Sequence, residues 1–191
     1  MLRTFIAFEP DEIVKEKYCQ LIETGKIAFP EIRNWTKPDN LHFTFRFIGD
    51  TDENHISEIS QYLQNLANQM NVFELQKGNL SWYPFNNSPL ICMMYQFHNP
   101  WLIKQYHLLG EFLESMKYET DRRRLNFHLT LARLKNINIS QTKNWNSDLT
   151  HEVSNVKITR LVYYKSTLYK SGPVYEKIKE MNLKGGINGN W

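Results

Sequence analysis

The tripeptide His-x-Thr occurs twice in this chain, each time between apolar residues. A β-strand places residues i and i+2 on one face, so each copy would present an imidazole and a hydroxyl together. Two such strands, side by side across a cleft, would form a near-symmetric site of two histidines and two hydroxyls. Such a site suits acid–base chemistry on an oxyanion, with no metal required. The two copies are Leu41-His42-Phe43-Thr44-Phe45 and Phe127-His128-Leu129-Thr130-Leu131.

The elements that must position these motifs follow from hydrophobic periodicity. Several strand pairs are joined too tightly for parallel crossovers, which favours an α+β fold built on antiparallel strands. The doubled motif suggests two lobes related by approximate twofold symmetry. We predict helices from Asp11 to about Thr24, over 53–69, from Pro100 to about Lys117 and near 173–182, and strands over 2–8, 41–48, 72–76, 79–83, 90–97, 126–134 and 153–164.

The composition is that of a folded protein. Of the 191 residues, 41% are hydrophobic and 14% are aromatic, which is ample for a globular interior. We expect one domain over 1–184 and a mobile, glycine-rich tail over 185–191. The net charge of +3 permits a polyanionic ligand without requiring one. The two cysteines have no metal-ligand or redox spacing, and no apolar run approaches the roughly 18 residues of a membrane helix. These features predict a cytoplasmic protein that makes no contact with a membrane. Separately, we expect a monomer.

Both motif regions resemble the two-histidine (2H) phosphoesterases, and within them the RNA 2′,3′-cyclic phosphodiesterases once described as 2′-5′ RNA ligases. The similarity extends over most of the chain. Two departures stand out: Phe127 occupies a position that is usually proline, and Phe43 and Phe45 are bulkier than the usual aliphatic residues. The similar segments are Arg3–Ala7, Trp35–Phe45, Phe47–Asp50, Asn126–Arg133, Tyr164–Leu168 and Gly172–Tyr175.

The resemblance implies a bilobal domain, in which two antiparallel sheets with outer helices enclose a central cleft. It also implies hydrolysis of RNA 2′,3′-cyclic phosphate ends to 2′-phosphomonoesters, without a cofactor or a metal ion. In this interpretation His42 protonates the leaving 3′ oxygen, His128 activates water, and Thr44 and Thr130 hold the phosphoryl oxygens. The residues alone leave the two histidine roles interchangeable, because the two motifs are nearly equivalent.

Two arginines are candidate phosphate ligands. Arg133 resembles the arginine that ends the second motif of the family, yet strict alternation puts Ala132 on the face of His128 and Thr130. A bend in the strand is therefore needed to bring Arg133 there. Arg46 shares a face with His42 and Thr44 by simple period-two counting. A solvated or salt-bridged arginine is the competing interpretation for each.

Further basic and aromatic residues could contact RNA. The run Arg122-Arg123-Arg124 precedes the second motif and could attract phosphate, although a solvated loop is the simpler reading. Four aromatic residues could stack on a terminal base or could pack in the core: Trp35, Trp82, Tyr83 and Phe85.

Two alternatives stay open. The same four motif residues could open a cyclic phosphate on a small nucleotide or an ADP-ribose derivative. A module that binds RNA ends without turnover is a second alternative, which the intact motifs disfavour. A zinc site is not expected, because the histidines fit no ligand spacing for it.

Overall fold

The chain is described here by a computed structural model over residues 1–83, 89–121, 124–134, 153–170 and 172–185. Short 3₁₀ turns at Pro38–Asn40 and Glu53–His55 precede the first motif and the second helix. In chain order the strands and helices are β1 (Leu2–Pro10), α1 (Glu12–Ala28), β2 (Asn34–Trp35), β3 (Phe43–Thr51), α2 (Ile56–Gln69), β4 (Phe73–Tyr83), β5 (Leu90–Gln96), α3 (Pro100–Ser115), β6 (His128–Arg133), β7 (Val156–Tyr169) and β8 (Gly172–Asn182).

The strands form one antiparallel sheet that closes into a ring. Its order is β1-β3-β6-β5-β4-β7, and β7 returns to pair with β1, while β8 adds to β7 and β2 to β6. The α+β class and the antiparallel pairing are therefore confirmed. The division into two separate sheets is wrong, because β3 pairs with β6 and β4 pairs with β7. The β3–β6 connection consists of a single residue pair, Phe43 with Leu129.

The helices begin and pack as their sequences dictate. The side chain of Asp11 accepts a hydrogen bond from the backbone N–H of Val14 at 2.8 Å, and Asn99 does the same for Leu102 at 3.0 Å. All three helices place an apolar stripe on one face of the sheet, where the main core lies. That core includes Ile6, Phe8, Tyr18, Leu21, Phe43, Phe45, Ile59, Leu63, Leu109, Leu113, Leu129 and Leu131.

A second, smaller apolar cluster lies on the opposite face of the sheet. Alternation along β1 sends Ile6 and Phe8 to the main core and Phe5 and Ala7 to this other face. Phe5 and Ala7 pack there with Val162 and Tyr164 of β7, and Tyr175 of β8 covers them. This face is the one on which the motif side chains stand.

The helix predicted near 173–182 is wrong, because these residues form β8. Gly172, with φ of 109°, adopts a left-handed conformation at the start of the strand. From Tyr169 paired with Gly172 to Arg160 paired with Asn182, the two strands form a long antiparallel ladder. The local spacing of Val174, Ile178 and Met181 fits a helix, but the partner strand β7 supplies the hydrogen bonds that decide the structure.

Two further predictions concern the chain as a whole. No helix in the described part of the chain is long and apolar enough to cross a membrane. The predicted glycine-rich tail lies outside the described residues, apart from Gly185.

Candidate active site

The two His-x-Thr motifs meet at the join between β3 and β6. Phe43 and Leu129, the central residues of the two tripeptides, pair with each other and are fully buried in the main core. Their neighbours in each motif therefore project from the opposite face. The structure brings His42, Thr44, His128 and Thr130 together on that face. Because the pairing is antiparallel, each histidine lies toward the threonine of the other motif.

Both motif strands carry a β-bulge directly after the threonine. In β3, Thr44 pairs with Ala7 while Arg46 pairs with Ile6, so one extra residue stands on β3. In β6, Thr130 pairs with Cys92 while Ala132 pairs with Ile91, which gives the same irregularity. After each bulge the alternation of faces is reversed. The residues on the site face are then Phe47 and Arg133, rather than Arg46 and Ala132.

The first bulge removes Arg46 from the site, so its predicted place beside His42 is wrong. Only 3% of Arg46 is exposed, and its guanidinium lies 3.6 Å above the ring of Tyr106 on α3. It donates hydrogen bonds to the backbone carbonyls of Tyr106 at 2.6 Å and Asp121 at 3.0 Å. Arg46 thus anchors β3 to α3 and to the segment that follows α3. Simple period-two counting fails here because it assumes an unbroken strand.

The second bulge supplies the bend that Arg133 needs. Leu131 and Ala132 are both buried, and Arg133 emerges on the site face with an exposed side chain. Its positive charge lowers the pKa of both His42 and His128, which places the guanidinium within electrostatic reach of both rings. Arg133 is therefore the arginine that the structure brings to the two histidines.

The hydrogen bonds of His42 define its protonation geometry. Nδ1 lies 2.7 Å from the backbone carbonyl oxygen of Asn40, and Nε2 lies 3.1 Å from Oγ1 of Thr44. A carbonyl can only accept, so Nδ1 carries the hydrogen in the neutral ring. Nε2 then accepts a hydrogen bond from the Thr44 hydroxyl. It is the ring atom that gains and loses a proton.

Both imidazoles are held toward the neutral form. Burial lowers the pKa of His42 to about 4; the hydrogen bond to Asn40 opposes this shift, and the charges of His128 and Arg133 add to it. Burial also lowers the pKa of His128, the backbone of Asn126 opposes the shift, and Arg133 reinforces it. A bound anion between the two rings would raise both pKa values, because it favours the charged form.

Sequence reasoning missed the backbone support of the two rings. Asn40 and Asn126 each stand two residues before a histidine, and each uses its backbone to hydrogen-bond that imidazole. The repeat is therefore Asn-x-His-x-Thr, a longer signal that was readable in the sequence. The side chain of Asn40 also donates to the carbonyl of Pro173 at 2.9 Å, which ties the first motif to β8.

Aromatic rings line both sides of the site. Phe5 and Tyr175 pack against the ring of His42 at centroid distances of 5.1 and 5.4 Å. Tyr83 stacks on His128 at 6.2 Å, while Trp35 and Trp82 are half-buried against the main core. Phe47 is 56% exposed and lies 5.9 Å from Phe5. Of the other predicted contacts, Phe85, Arg122 and Arg123 lie outside the described residues, and Arg124 is exposed.

The sequence model of one protein family matches most of this chain. The LigT-like phosphoesterase model matches residues 28–91 and 107–175, which include both motifs. The chain belongs to the LigT-like phosphoesterase family. Its similarity to individual members is distributed over almost the whole length of the chain.

This LigT-like phosphoesterase is also similar to individual proteins and to solved structures. The chain is 27% identical to an RNA 2′,3′-cyclic phosphodiesterase of Thermotoga maritima, covering 97% of this chain and 98% of that protein. It is 25% identical to one of Methanocaldococcus jannaschii, covering 94% and 99%. Its fold matches E. coli LigT complexed with 3′-AMP, with a TM-score of 0.71 at 18% identity over 96% of this chain and 98% of that one. TT0787 of Thermus thermophilus gives the same TM-score at 19% identity, with the same coverage.

Proposed function

We propose that this protein hydrolyses RNA 2′,3′-cyclic phosphate ends to 2′-phosphomonoesters by metal-independent acid–base catalysis with two histidines. The observation that carries the proposal is the join between β3 and β6, which puts two imidazoles and two hydroxyls on one face of the sheet. The relatives named RNA 2′,3′-cyclic phosphodiesterase, aligned over nearly the whole chain, support the same reaction class.

The reaction needs a base, an acid and phosphoryl donors. His128 takes a proton from water, and the resulting hydroxide attacks phosphorus in line with the bond to the 3′ oxygen. That bond breaks, and Nε2–H of His42 delivers its proton to the leaving 3′ oxygen. The 2′ oxygen keeps the phosphoryl group, so the product is a 2′-phosphomonoester and a 3′ hydroxyl. One proton has then moved from His42 to the product and one from water to His128.

A hydrogen bond between His42 and Thr44 links the general acid to one of the hydroxyls that bind the phosphoryl group. In the neutral ring Nε2 accepts the hydroxyl hydrogen of Thr44, at a distance of 3.1 Å. When Nε2 is protonated, it no longer accepts, and the hydroxyl hydrogen turns to a phosphoryl oxygen. Thr130 supplies the corresponding donor from the second motif. Two oriented hydroxyls stabilise the charge that accumulates on the phosphoryl oxygens in the transition state.

Substrate binding divides between charge and stacking. Arg133 lies within electrostatic reach of both histidines and neutralises the phosphoryl group held between them. The exposed ring of Phe47, beside Phe5, offers a stacking surface for the terminal base.

We also infer that the two halves of the closed sheet, which meet at Phe43 and Leu129, act as lobes with approximate twofold symmetry around this cleft. The cytoplasmic location, the monomeric state and the absence of a cofactor stay predictions from the sequence.

A cyclic phosphodiesterase that prefers small nucleotides is the second candidate, favoured by the likeness to a LigT fold complexed with 3′-AMP. The test is incubation in EDTA of an RNA oligonucleotide with a 2′,3′-cyclic phosphate end, beside the matching cyclic mononucleotide. We expect conversion of the RNA end to a 2′-phosphate at a higher kcat/KM than the mononucleotide. Conversion of the mononucleotide alone would favour the second candidate, and conversion of neither would contradict both.

A further inference from the structure

Tyr175 of β8 stands in the site but has no part in the chemistry described so far. Its ring meets the ring of His42 edge-on, with centroids 5.4 Å apart and an interplanar angle of 89°. It also packs edge-on against Phe5 at 4.8 Å. The side chain is half-buried. Tyr175 therefore forms the β8 side of the pocket that holds the acid.

The hydroxyl of Tyr175 has no hydrogen-bond partner among the residues that the structure describes. Its neighbour Tyr164, stacked on Phe5 at 5.0 Å, donates its hydroxyl hydrogen to the buried carboxylate of Glu9. Tyr18 and Tyr163 likewise hydrogen-bond within the fold. Tyr175 is only half-buried, so its hydroxyl is reachable from solvent. The unpaired hydroxyl of Tyr175 marks it as a group available to a ligand.

The charges around Tyr175 indicate what kind of ligand that is. Burial raises the pKa of Tyr175, whereas the positive charges of Arg133 and Arg3 lower it. Arg133 acts on His42 and His128 as well. The positive charges of Arg3 and Arg133 around the phenol favour an anionic ligand beside it. Because burial raises its pKa, the phenol stays protonated and can donate a hydrogen bond.

A hydrogen bond from the loop before β3 fixes Tyr175 relative to the acid. Asn40 presents its backbone carbonyl to His42 and its side-chain amide to the carbonyl of Pro173, two residues before Tyr175. The ring of His42 and the backbone that carries Tyr175 are thus held by one residue. This arrangement sets the phenol in place before any substrate binds.

We propose that Tyr175 is a substrate-contacting residue whose hydroxyl donates a hydrogen bond to the phosphoryl group, beside Thr44 and Thr130. The proposal rests on the proposed function, because the phosphoryl group is the end of the RNA that this site would hydrolyse. It adds a donor from β8, outside both His-x-Thr motifs. It also gives the β7–β8 hairpin a role in holding the phosphate.

Three variants separate the hydroxyl from the ring. Tyr175→Phe removes only the hydroxyl, Tyr175→Leu removes the ring as well, and Tyr169→Phe removes a hydroxyl from an exposed residue of β7 as the matched control. The kinetic substrate is an RNA oligonucleotide with a 2′,3′-cyclic phosphate end. Affinity is measured for the same RNA ending in a 2′-phosphate and for the same RNA ending in two free hydroxyls. Thermal unfolding of each variant shows whether it is folded.

We expect Tyr175→Phe to lower kcat/KM about 10- to 100-fold, the range for a hydrogen bond to a charged group. Its affinity should fall for the 2′-phosphate end and stay at the wild-type value for the unphosphorylated end, and Tyr169→Phe should match the wild type throughout. A wild-type kcat/KM and phosphate-end affinity in Tyr175→Phe would overturn the proposal, even if Tyr175→Leu is impaired. An equal loss of affinity for both ends would overturn it too. Failure of the wild type to hydrolyse the cyclic end is a separate result, which would count against the proposed function.

Discussion

The two motif strands, β3 and β6, share a sequence and a backbone path but place opposite kinds of side chain in the cleft. Both read Asn-x-His-x-Thr, and both bulge directly after the threonine. The fourth residue after each histidine then turns into the core, and the fifth returns to the site. On β3 these residues are Arg46 and Phe47, whereas on β6 they are Ala132 and Arg133. The single cation that each strand offers is thus buried in one case and presented to the ligand in the other.

This difference shows how a duplicated motif can serve an asymmetric substrate. A nucleotide end has a charged phosphoryl group and a flat base that can stack, and the two strands offer one side chain suited to each. The same asymmetry reaches the histidines. The pKa of His42 is lowered to about 4 by burial and by the charges of His128 and Arg133, whereas repulsion of His128 comes from Arg133. Predictions can therefore be directed at either strand, with the other as its reference.

Replacing either histidine should produce the largest effect. His42→Ala and His128→Ala each remove one half of the acid–base pair, so we expect kcat to fall by at least ~10²–10⁴-fold. Steady-state hydrolysis of an RNA cyclic phosphate end in EDTA measures this loss. His107→Ala, at an exposed position on α3, is the matched control and should match the wild type. Wild-type turnover in either motif variant would eliminate the mechanism.

The threonines should come next. Thr44→Val and Thr130→Val keep the shape of the side chain and delete one phosphoryl donor, and we expect kcat to fall by up to ~10²–10³-fold. Thr44→Ser and Thr130→Ser restore the hydroxyl and should recover most of the activity. Similar losses on the two strands would support equivalent donors. If valine leaves kcat unchanged on one strand, the donor role fails for that strand.

The residues after the bulges should give smaller and qualitatively different losses. Arg133→Met should lower kcat/KM about 10- to 100-fold, because it deletes a charged hydrogen-bond donor to phosphate. Phe47→Ala should lower kcat/KM by less, near the lower end of the ~1–3 kcal/mol of a base–aromatic stack.

Arg46→Met, by contrast, should lower the thermal midpoint and leave kcat of the folded protein unchanged. A large loss of kcat in well-folded Arg46→Met would contradict the division between core and cleft.

Prediction from sequence succeeded for the motifs and failed where tertiary contacts decide. The spacing of His42 and Thr44 places both on one face of a short strand, whatever the rest of the fold. The bulges are different, because they arise from register with β1 and β5, which no local pattern records. The helix predicted over β8 failed for the same reason, since β7 supplies its hydrogen bonds. Ring closure depends on the single pair between Phe43 and Leu129, which periodicity cannot reveal.

The lowered pKa values of the two histidines should displace the pH optimum of kcat/KM, an effect smaller than the losses described above. Catalysis needs one protonated and one neutral histidine, so kcat/KM falls when pH rises above both pKa values or drops below both. Since both pKa values are lowered in the free enzyme, the optimum of kcat/KM should lie below about 6.5, the ordinary pKa of histidine. The profile of kcat should lie at higher pH, because bound phosphate raises both values. Arg133→Met should move the kcat/KM profile upward as well. An optimum of kcat/KM at alkaline pH would contradict this assignment.

The division of labour between the strands has its most direct test in a sulfur-substituted substrate. The measurement is single-turnover hydrolysis, by the wild type, His42→Ala and His128→Ala, of an RNA 2′,3′-cyclic phosphate end and of its analogue with sulfur at the 3′ bridging position. A thiolate leaves without protonation, so the analogue does not need the acid. We predict that sulfur restores the rate of His42→Ala toward that of the wild type and leaves His128→Ala slow. Rescue of His128→Ala instead would reverse the roles of β3 and β6, and rescue of neither variant would contradict general-acid catalysis by a histidine.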